Sequence, residues 1–224
     1  MAFIIAGFGK FGRLALERLT HAFPEETLIL LDHDPHAFSG GRHTGNVREI
    51  VTDAVKYVVE HRDDLGGSET WITPTAPLHL FAGVALGVVS DLRLVALPPT
   101  LPSLVPNPYQ LDGSTICCSY ADFVCPDDCE EGPLCTVTGE SRQPLYSRLK
   151  GLVLPGYNVQ ILVSRQLCPG IGGYTSQDLF QCISEIQQGC TVIGTSCRCH
   201  AILTAVTRGN RMEAMGGPEV KAGI

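Results

Sequence analysis

Residues 2–12 read AFIIAGFGKFG, and this stretch sets the fold class of the chain. Ala2 to Ala6 is an apolar run too short for a helix and halted by glycine, which is the pattern of a buried parallel strand. Gly7, Gly9 and Gly12 then satisfy G-x-G-x-x-G. In that pattern the first glycine permits a tight strand-to-helix turn, the second lets the backbone approach a pyrophosphate, and the third lets helix and strand pack closely. Lys10 to His21 follows with apolar Phe11, Leu14, Ala15 and Leu19, the spacing of a helix with one buried face. Thr27 to Leu31 is a second apolar run and ends at Asp32, 20 residues after Gly12. A carboxylate there accepts hydrogen bonds from the adenosine ribose hydroxyls and repels a 2′-phosphate, while the diphosphate rests on the N-terminus of the helix. The stretch therefore predicts a βαβ unit that holds an adenine dinucleotide, NAD(H) in preference to NADP(H). Arg42 and Arg48 are the downstream cations that a 2′-phosphate would need.

Working outward, Glu49 to Thr52 reads as a strand with Asp53 at its end, and Val55 to His61 as a short helix. Thr70 to Thr73 reads as a strand, Leu78 to Val89 as a helix and Leu92 to Leu97 as a fifth strand. Such alternation implies a mainly parallel sheet covered on both faces. From Pro98 to Leu149 the chain is rich in Pro, Cys and Asp and has no sustained periodicity, a length that needs something to staple it inside a compact domain. Alternation resumes with strands at Val159–Val163 and Thr191–Ile193 and helices at Ser176–Gln187 and His200–Val206, and a Gly- and charge-rich tail from Arg208 reads as frayed. The expected architecture is α/β: a Rossmann-like, doubly wound, mainly parallel sheet with a cysteine-rich irregular insertion. Its parts are a dinucleotide-binding part at 1–97, the insertion at 98–150 with a metal site, and a C-terminal α/β part at 151–224 that completes the sheet. Separate N- and C-terminal domains are the alternative.

The segments FIIAGFGKFGRLALERL (residues 3–19) and LILLDHDP (residues 28–35) resemble the N-terminal NAD-binding domain of TrkA-type potassium-uptake regulators, the RCK or KTN group. Asp53-Ala54 is similar to the Asp-Ala that often follows the third strand in that group. The resemblance covers roughly residues 1–60. It implies a Rossmann fold with Gly7, Gly9, Gly12 and Asp32 contacting the nucleotide, and a role in ligand sensing rather than catalysis. The rest of the chain does not resemble the regulatory C-terminal domain of the group.

Bulk composition narrows the function. Of 224 residues, 44% are hydrophobic and 17% charged, so a sizeable core is expected. A net charge of −7 argues against a general nucleic-acid binder, which needs a basic face. The longest apolar stretch, Leu78 to Val89, is shorter than the roughly 20 residues that cross a bilayer. With no basic region before the apolar N-terminal run, the chain reads as cytoplasmic.

Ten cysteines, none before Cys117, are many for a reducing compartment and point to metal ligation or redox chemistry. Cys118, Cys125, Cys129 and Cys135 are spaced x6, x3 and x5 among Pro and Gly, which lets thiolates converge on one point without matching a standard zinc or ferredoxin pattern. Cys197-Arg198-Cys199-His200 follows a predicted strand at the sheet edge where ligands bind, so Cys199 or a neighbour is expected to share a centre with Cys125, Cys129 and Cys135. An iron–sulfur cluster suits electron transfer beside NAD, and zinc suits a staple. Cys168, Cys182 and Cys190 read as small buried hydrophobes.

Other candidates are weaker. Arg165, Gly172 and Gly173 belong to a predicted βα loop ahead of a Thr175/Asp178 capping box, and such a loop binds a carboxylate or phosphate or is simply a tight turn. His79, after the fourth strand, is a candidate acid or base, and Cys197 with His200 a candidate nucleophile and base. His33, His36 and His43 read as surface residues. Three functions follow: an NAD(H)-linked redox protein with a cysteine-bound iron–sulfur or other metal centre, an NAD(H)-sensing regulator with structural zinc, and a metal-independent dehydrogenase using His79. A homodimer and a redox partner protein stand as candidate partners beside the dinucleotide.

Overall fold

The structure is a computed structural model that describes residues 1–39, 46–67 and 69–209. Arg42, His43 and residues 210–224 of the expected tail lie outside the described residues. The first part of the chain runs β1 (Ala2–Ala6), α1 (Lys10–Ala22), β2 (Thr27–Asp32), a 3₁₀ turn (Pro35–Phe38), β3 (Val47–Val51), α2 (Ala54–Glu60), α3 (Arg62–Leu65), β4 (Thr70–Pro74) and α4 (Leu80–Val88). It continues with β5 (Leu92–Leu94), α5 (Leu101–Leu104), β6 (Tyr109–Gln110), β7 (Thr115–Ser119) and α6 (Leu145–Lys150). It closes with β8 (Tyr157–Val163), β9 (Arg165–Cys168), β10 (Ile171–Thr175), α7 (Ser176–Ser184), β11 (Gly189–Ser196) and β12 (His200–Arg208).

The fold is α/β, with its strands in two sheets rather than the single sheet expected from the alternation. The first has the order β3-β2-β1-β4-β10-β9, parallel through its first four strands and antiparallel where β10 joins β4 and β9 joins β10. The second has the order β6-β7-β12-β11-β8, with β5 also pairing β12. It is antiparallel except for β8 beside β11. β1 is buried on both faces, and its alternating side chains show how the first sheet is covered. Phe3 and Ile5 meet Ala15 and Leu19 of α1 on one face, whereas Ile4 and Ala6 meet Val58 of α2, α4 and Leu179 of α7 on the other. α4 and α7 lie between the sheets, because Leu162, Ile193 and Val206 of the second sheet join the same core. The far face of the second sheet, with Ile161, Val192 and Leu203, packs on Leu101 of α5 and on Leu145 and Leu149 of α6. On α4, Gly83 and Gly87 let α2 approach: a Cβ at either would stand 2.7 Å from a methyl of Val55 or Val59.

Four local expectations are corrected. Residues 200–206 form a strand, not a helix, because the run HAILTAVT is rich in β-branched residues and buried on both faces, so it shows no two-residue period. The predicted fifth strand is short and belongs to the second sheet, antiparallel on β12. The glycine-bearing loop at 164–174 is the β9–β10 hairpin, turned by Pro169-Gly170 with Gly170 at φ +70°. Arg208 is the last residue of β12 rather than the start of a frayed tail. Among the described residues no helix is long and apolar enough to cross a membrane.

Candidate cofactor and metal site

The glycine loop joins β1 to α1, and its three glycines answer to different neighbours. Gly7 holds φ +106°, and a Cβ on it would stand 2.6 Å from the Ala76 nitrogen. A Cβ on Gly12 would stand 2.1 Å from the Gly7 carbonyl oxygen. Both positions exclude a side chain because the protein itself fills the space. A Cβ on Gly9 meets nothing within 4 Å, so the bare backbone there opens outward at the start of α1. The first backbone N–H groups of a helix lack intrahelical acceptors and carry the positive end of its dipole. Thr75 pins the loop from β4, its hydroxyl donating to the Gly7 carbonyl at 2.6 Å.

Asp32, at the end of β2, accepts the Phe8 N–H at 2.7 Å through one carboxylate oxygen and the Asp34 N–H at 2.9 Å through the other. Burial works to raise its pKa, but those N–H donors and the neighbouring His33 outweigh it, so the carboxyl titrates below its ordinary range and is ionised at neutral pH. The 3₁₀ turn closes over the loop: Phe38 stacks on Phe8, and Arg13 reaches across the Phe8 ring to the Ala37 carbonyl at 2.6 Å. Gly7, Gly9, Gly12 and Asp32 thus stand together as an open turn at the start of α1 with an ionised carboxylate beside it. Arg48 lies on β3, the neighbour of β2.

The cysteine loop between β7 and α6 is held by backbone bonds. The β9–β10 hairpin grips the Cys129 carbonyl, which accepts from Gln166 Nε2 at 2.6 Å and from the Gly170 N–H at 2.9 Å. At its two ends the loop is tied to the β11–β12 turn, Tyr120 N–H donating to the Cys199 carbonyl at 2.9 Å and Leu145 N–H to the Arg198 carbonyl at 2.8 Å. It also docks on α1: Lys10 pairs with Asp127 at 3.4 Å, and Arg18 donates to the Asp127 and Pro169 carbonyls.

This docking gathers Cys125, Cys129, Cys135 and Cys199 around one cavity of about 420 Å³, whose wall also includes Lys10 and Phe11 from the first turn of α1. Cys125 and Cys199 both feel the charges of Cys129 and Cys135. Burial first, then the charges of Cys129 and Cys135, raise the Cys125 thiol. Burial, Glu131 and Cys129 raise Cys199, against the pull of Arg142. Cys135 goes the other way, lowered by the Thr138 and Val137 N–H groups at the turn that follows it. No three of these sulfurs come within 4.8 Å of one another, because among the described residues the only such trio of potential ligands is Glu131, Cys197 and His200. Thiolates on a single tetrahedral zinc stand roughly 3.8 Å apart, from a Zn–S bond of about 2.3 Å. The cup is therefore wide for one ion.

Cys118, expected among the ligands, is not in this cup. It lies in β7 opposite Ala201, is 3% exposed in the core of the second sheet, and burial pushes its thiol up to about 12. Spacing alone placed it beside Cys125, whereas strand pairing turns it away. Cys197 and His200 stand beside the cup, with Cys197 Sγ 3.7 Å from His200 Nδ1. Burial followed by the Glu131 carboxylate raises the Cys197 thiol strongly, which leaves it protonated and a poor nucleophile without a cation. Glu131 was not legible as a site residue: in sequence it is one acid among several in a loop.

The remaining candidates fall elsewhere. His79 is buried between the sheets, its ring nitrogens 2.8 Å from the Thr204 hydroxyl and 3.2 Å from the Thr195 hydroxyl. Burial holds it down to about 3, so the ring is neutral and joins α4 to the second sheet rather than facing the glycine loop. Arg165 is ion-paired with Asp178 at 2.7 Å, and Gly172 and Gly173 are strand residues of β10. A Cβ on Gly173 would stand 2.7 Å from the Ile72 carbonyl, so close sheet pairing accounts for it. The Thr175 cap is present, its hydroxyl accepting the Asp178 N–H at 3.0 Å. Cys168 packs against the α1 core and Cys182 against the core between the sheets. Cys190 is a half-buried residue of β11.

Residues 72–209 match the family model AF_1314_C, described as the C-terminal domain of an uncharacterized protein. That span holds all ten cysteines and begins in β4. A protein of Archaeoglobus fulgidus, itself described as uncharacterized, is 29% identical over 226 residues, covering 92% of this chain and 99% of its own. No solved structure matches.

Proposed function

This chain belongs to the AF_1314_C family, and we propose that it is an NAD(H)-binding redox protein in which Cys125, Cys129, Cys135 and Cys199 hold an iron–sulfur cluster. One observation carries the reading: a single cavity is walled both by the four cysteines and by the first turn of α1, directly after the glycine loop. Fit supports both groups. For the dinucleotide, Gly9 leaves open space that a Cβ would occupy, and Asp32 offers an ionised carboxylate beside the turn. The parallel order β3-β2-β1-β4 supports a Rossmann-like reading of the first sheet, with adenosine on the β2 side of the loop. The nicotinamide then extends towards β4 and the β9–β10 hairpin, the side on which the cysteine cup lies.

For the metal centre, four thiols spread around a cavity suit a polynuclear cluster better than one zinc ion. In this reading Lys10 and the helix dipole favour the diphosphate, and Asp32 selects NAD(H) over NADP(H). A cluster held by Cys125, Cys129, Cys135 and Cys199 would supply a redox-dependent charge, and by linkage dinucleotide affinity and redox state would then depend on each other. The test is iron analysis and NADH titration of protein prepared without oxygen. Stoichiometric iron and an NADH affinity that differs between the oxidised and reduced cluster are expected. A colourless protein with zinc in the four-cysteine cup would replace the redox reading with that of an NAD(H)-sensing regulator stapled by zinc.

A further inference from the structure

Beside the four-cysteine cup lies a different constellation. Glu131, Cys197 and His200 bring a carboxylate oxygen, a sulfur and a ring nitrogen within 4.8 Å of one another. We propose that these three residues form a second, mononuclear site for zinc, with a fourth coordination position open to a small oxygen- or nitrogen-donor ligand. The proposal goes beyond the cluster reading and does not depend on it.

Distances and donor chemistry carry it. Bonds of about 2.3 Å to sulfur and about 2.05 Å to imidazole nitrogen put the two ligand atoms roughly 3.6 Å apart on a tetrahedral zinc. Cys197 Sγ and His200 Nδ1 are 3.7 Å apart. The backbone is already arranged for a thiolate, since the N–H groups of Cys199 and His200 each lie 3.4 Å from Cys197 Sγ as donors. The tight turn between β11 and β12 fixes both ligands, closed by the Cys197 N–H on the His200 carbonyl at 3.0 Å. Glu131 arrives from the cysteine loop with φ +47°, a left-handed conformation that a residue with a side chain keeps only where its surroundings impose it. A set of one thiolate, one imidazole and one carboxylate selects zinc over magnesium or calcium, which prefer oxygen alone.

The other ring nitrogen defines the relation to the first centre. His200 Nε2 is 3.8 Å from Cys125 Sγ, so an imidazole bound to zinc through Nδ1 presents its remaining N–H to a ligand of the four-cysteine cup. The trio also stands in a partition. Glu131 lines the cup's cavity, Cys197 lines a second cavity of about 470 Å³, and His200 lines both. Three protein ligands would leave the fourth zinc position for water or another small donor. Asn107, Ser164 and Thr195 line the second cavity and offer hydrogen bonds to a ligand there.

The experiment uses the full chain, stripped of metal and handled without oxygen, with iron loaded first and zinc then measured by equilibrium dialysis. Cobalt(II) serves as the spectroscopic probe for a sulfur-containing tetrahedral site. Wild type is expected to bind one zinc in addition to its iron. Cys197→Ser is expected to lose that zinc and the sulfur-to-cobalt band while keeping its iron, and Cys135→Ser to lose iron while keeping the zinc. Should Cys197→Ser fail to fold, Glu131→Gln provides the same reading: zinc weakened by at least the roughly 10–100-fold that loss of a supporting partner costs. Joint loss of iron and zinc in both folded cysteine variants would mean one shared centre and overturn the proposal. So would zinc uptake that neither Cys197→Ser nor Glu131→Gln changes. A wild type that binds this zinc but no iron would instead refute the cluster and leave the second site standing.

Discussion

Among single residues, the glycine loop separates two reasons for lacking a side chain. Gly12 is glycine because its Cβ would collide with the Gly7 carbonyl, so Gly12→Ala must push α1 away from β1. Overpacking of that kind costs about 1–3 kcal/mol, which a urea denaturation curve will report. Gly9→Ala meets no protein atom and is expected to leave the midpoint unchanged while weakening NADH binding by about tenfold or more, roughly 1.4 kcal/mol. Equal NADH affinity in the Gly9 variant and the wild type would remove the pyrophosphate from this turn. Tyr174 gives a third case. Its hydroxyl is fully buried with no hydrogen-bond partner among the described residues, and burial raises its pKa. Tyr174→Phe removes an unpaired polar atom and keeps the ring, so its melting temperature should equal or exceed that of the wild type.

Between elements, His79 is the polar tie at the start of α4. It sits between Thr204 of β12 and Thr195 of β11, and burial holds its pKa at about 3 against an ordinary 6.5. The unfolded chain therefore binds a proton between those values that the folded chain does not. Stability from this group is whole above pH 6.5 and is lost as pH falls towards 3, by up to a few kcal/mol. Denaturation midpoints of wild type and His79→Ala at pH 7 and pH 4.5 test this. The variant is expected to be destabilised by about 2–4 kcal/mol at pH 7, from the cavity and the lost hydrogen bonds to Thr204 and Thr195. Its further loss on acidification should be smaller than that of the wild type. The same region explains two misread elements. β12 looks like a helix in sequence because strand burial on both faces removes the two-residue period. The β9–β10 hairpin looks like a phosphate loop because Gly173, needed for close pairing with β4, and Gly170, at the turn, together match a glycine-rich loop.

For the molecule as a whole, the arrangement that matters is the docking of the cysteine loop on α1. Lys10–Asp127 and the Arg18 contacts join the two, and under the proposed reading they carry a change at the loop to the glycine turn. Asp127→Lys reverses a charge opposite Lys10, and it is expected to weaken the dependence of NADH affinity on the redox state of the cluster while sparing iron content. Paired NADH titrations of oxidised and reduced protein measure this. Unchanged dependence would place the coupling elsewhere.

The β1–α1–β2 unit, the glycine turn and Asp32 were all readable from residues 2–32, because strand, turn and helix follow one another in a local pattern, even though Ala76 and Thr75 also close on the turn. The cysteine spacing likewise announced a convergent loop, and Cys199 was placed with it from its position at a strand end. Long-range pairing settled the rest. Whether a strand joins the first sheet or the second depends on partners far along the chain, such as Cys118 facing Ala201 or Tyr174 facing Ile72. That pairing took Cys118 out of the cup, buried His79 between sheets and set Glu131 beside Cys197 and His200. Local pattern reports the faces an element can bury, and only the packed chain determines which partner covers each face.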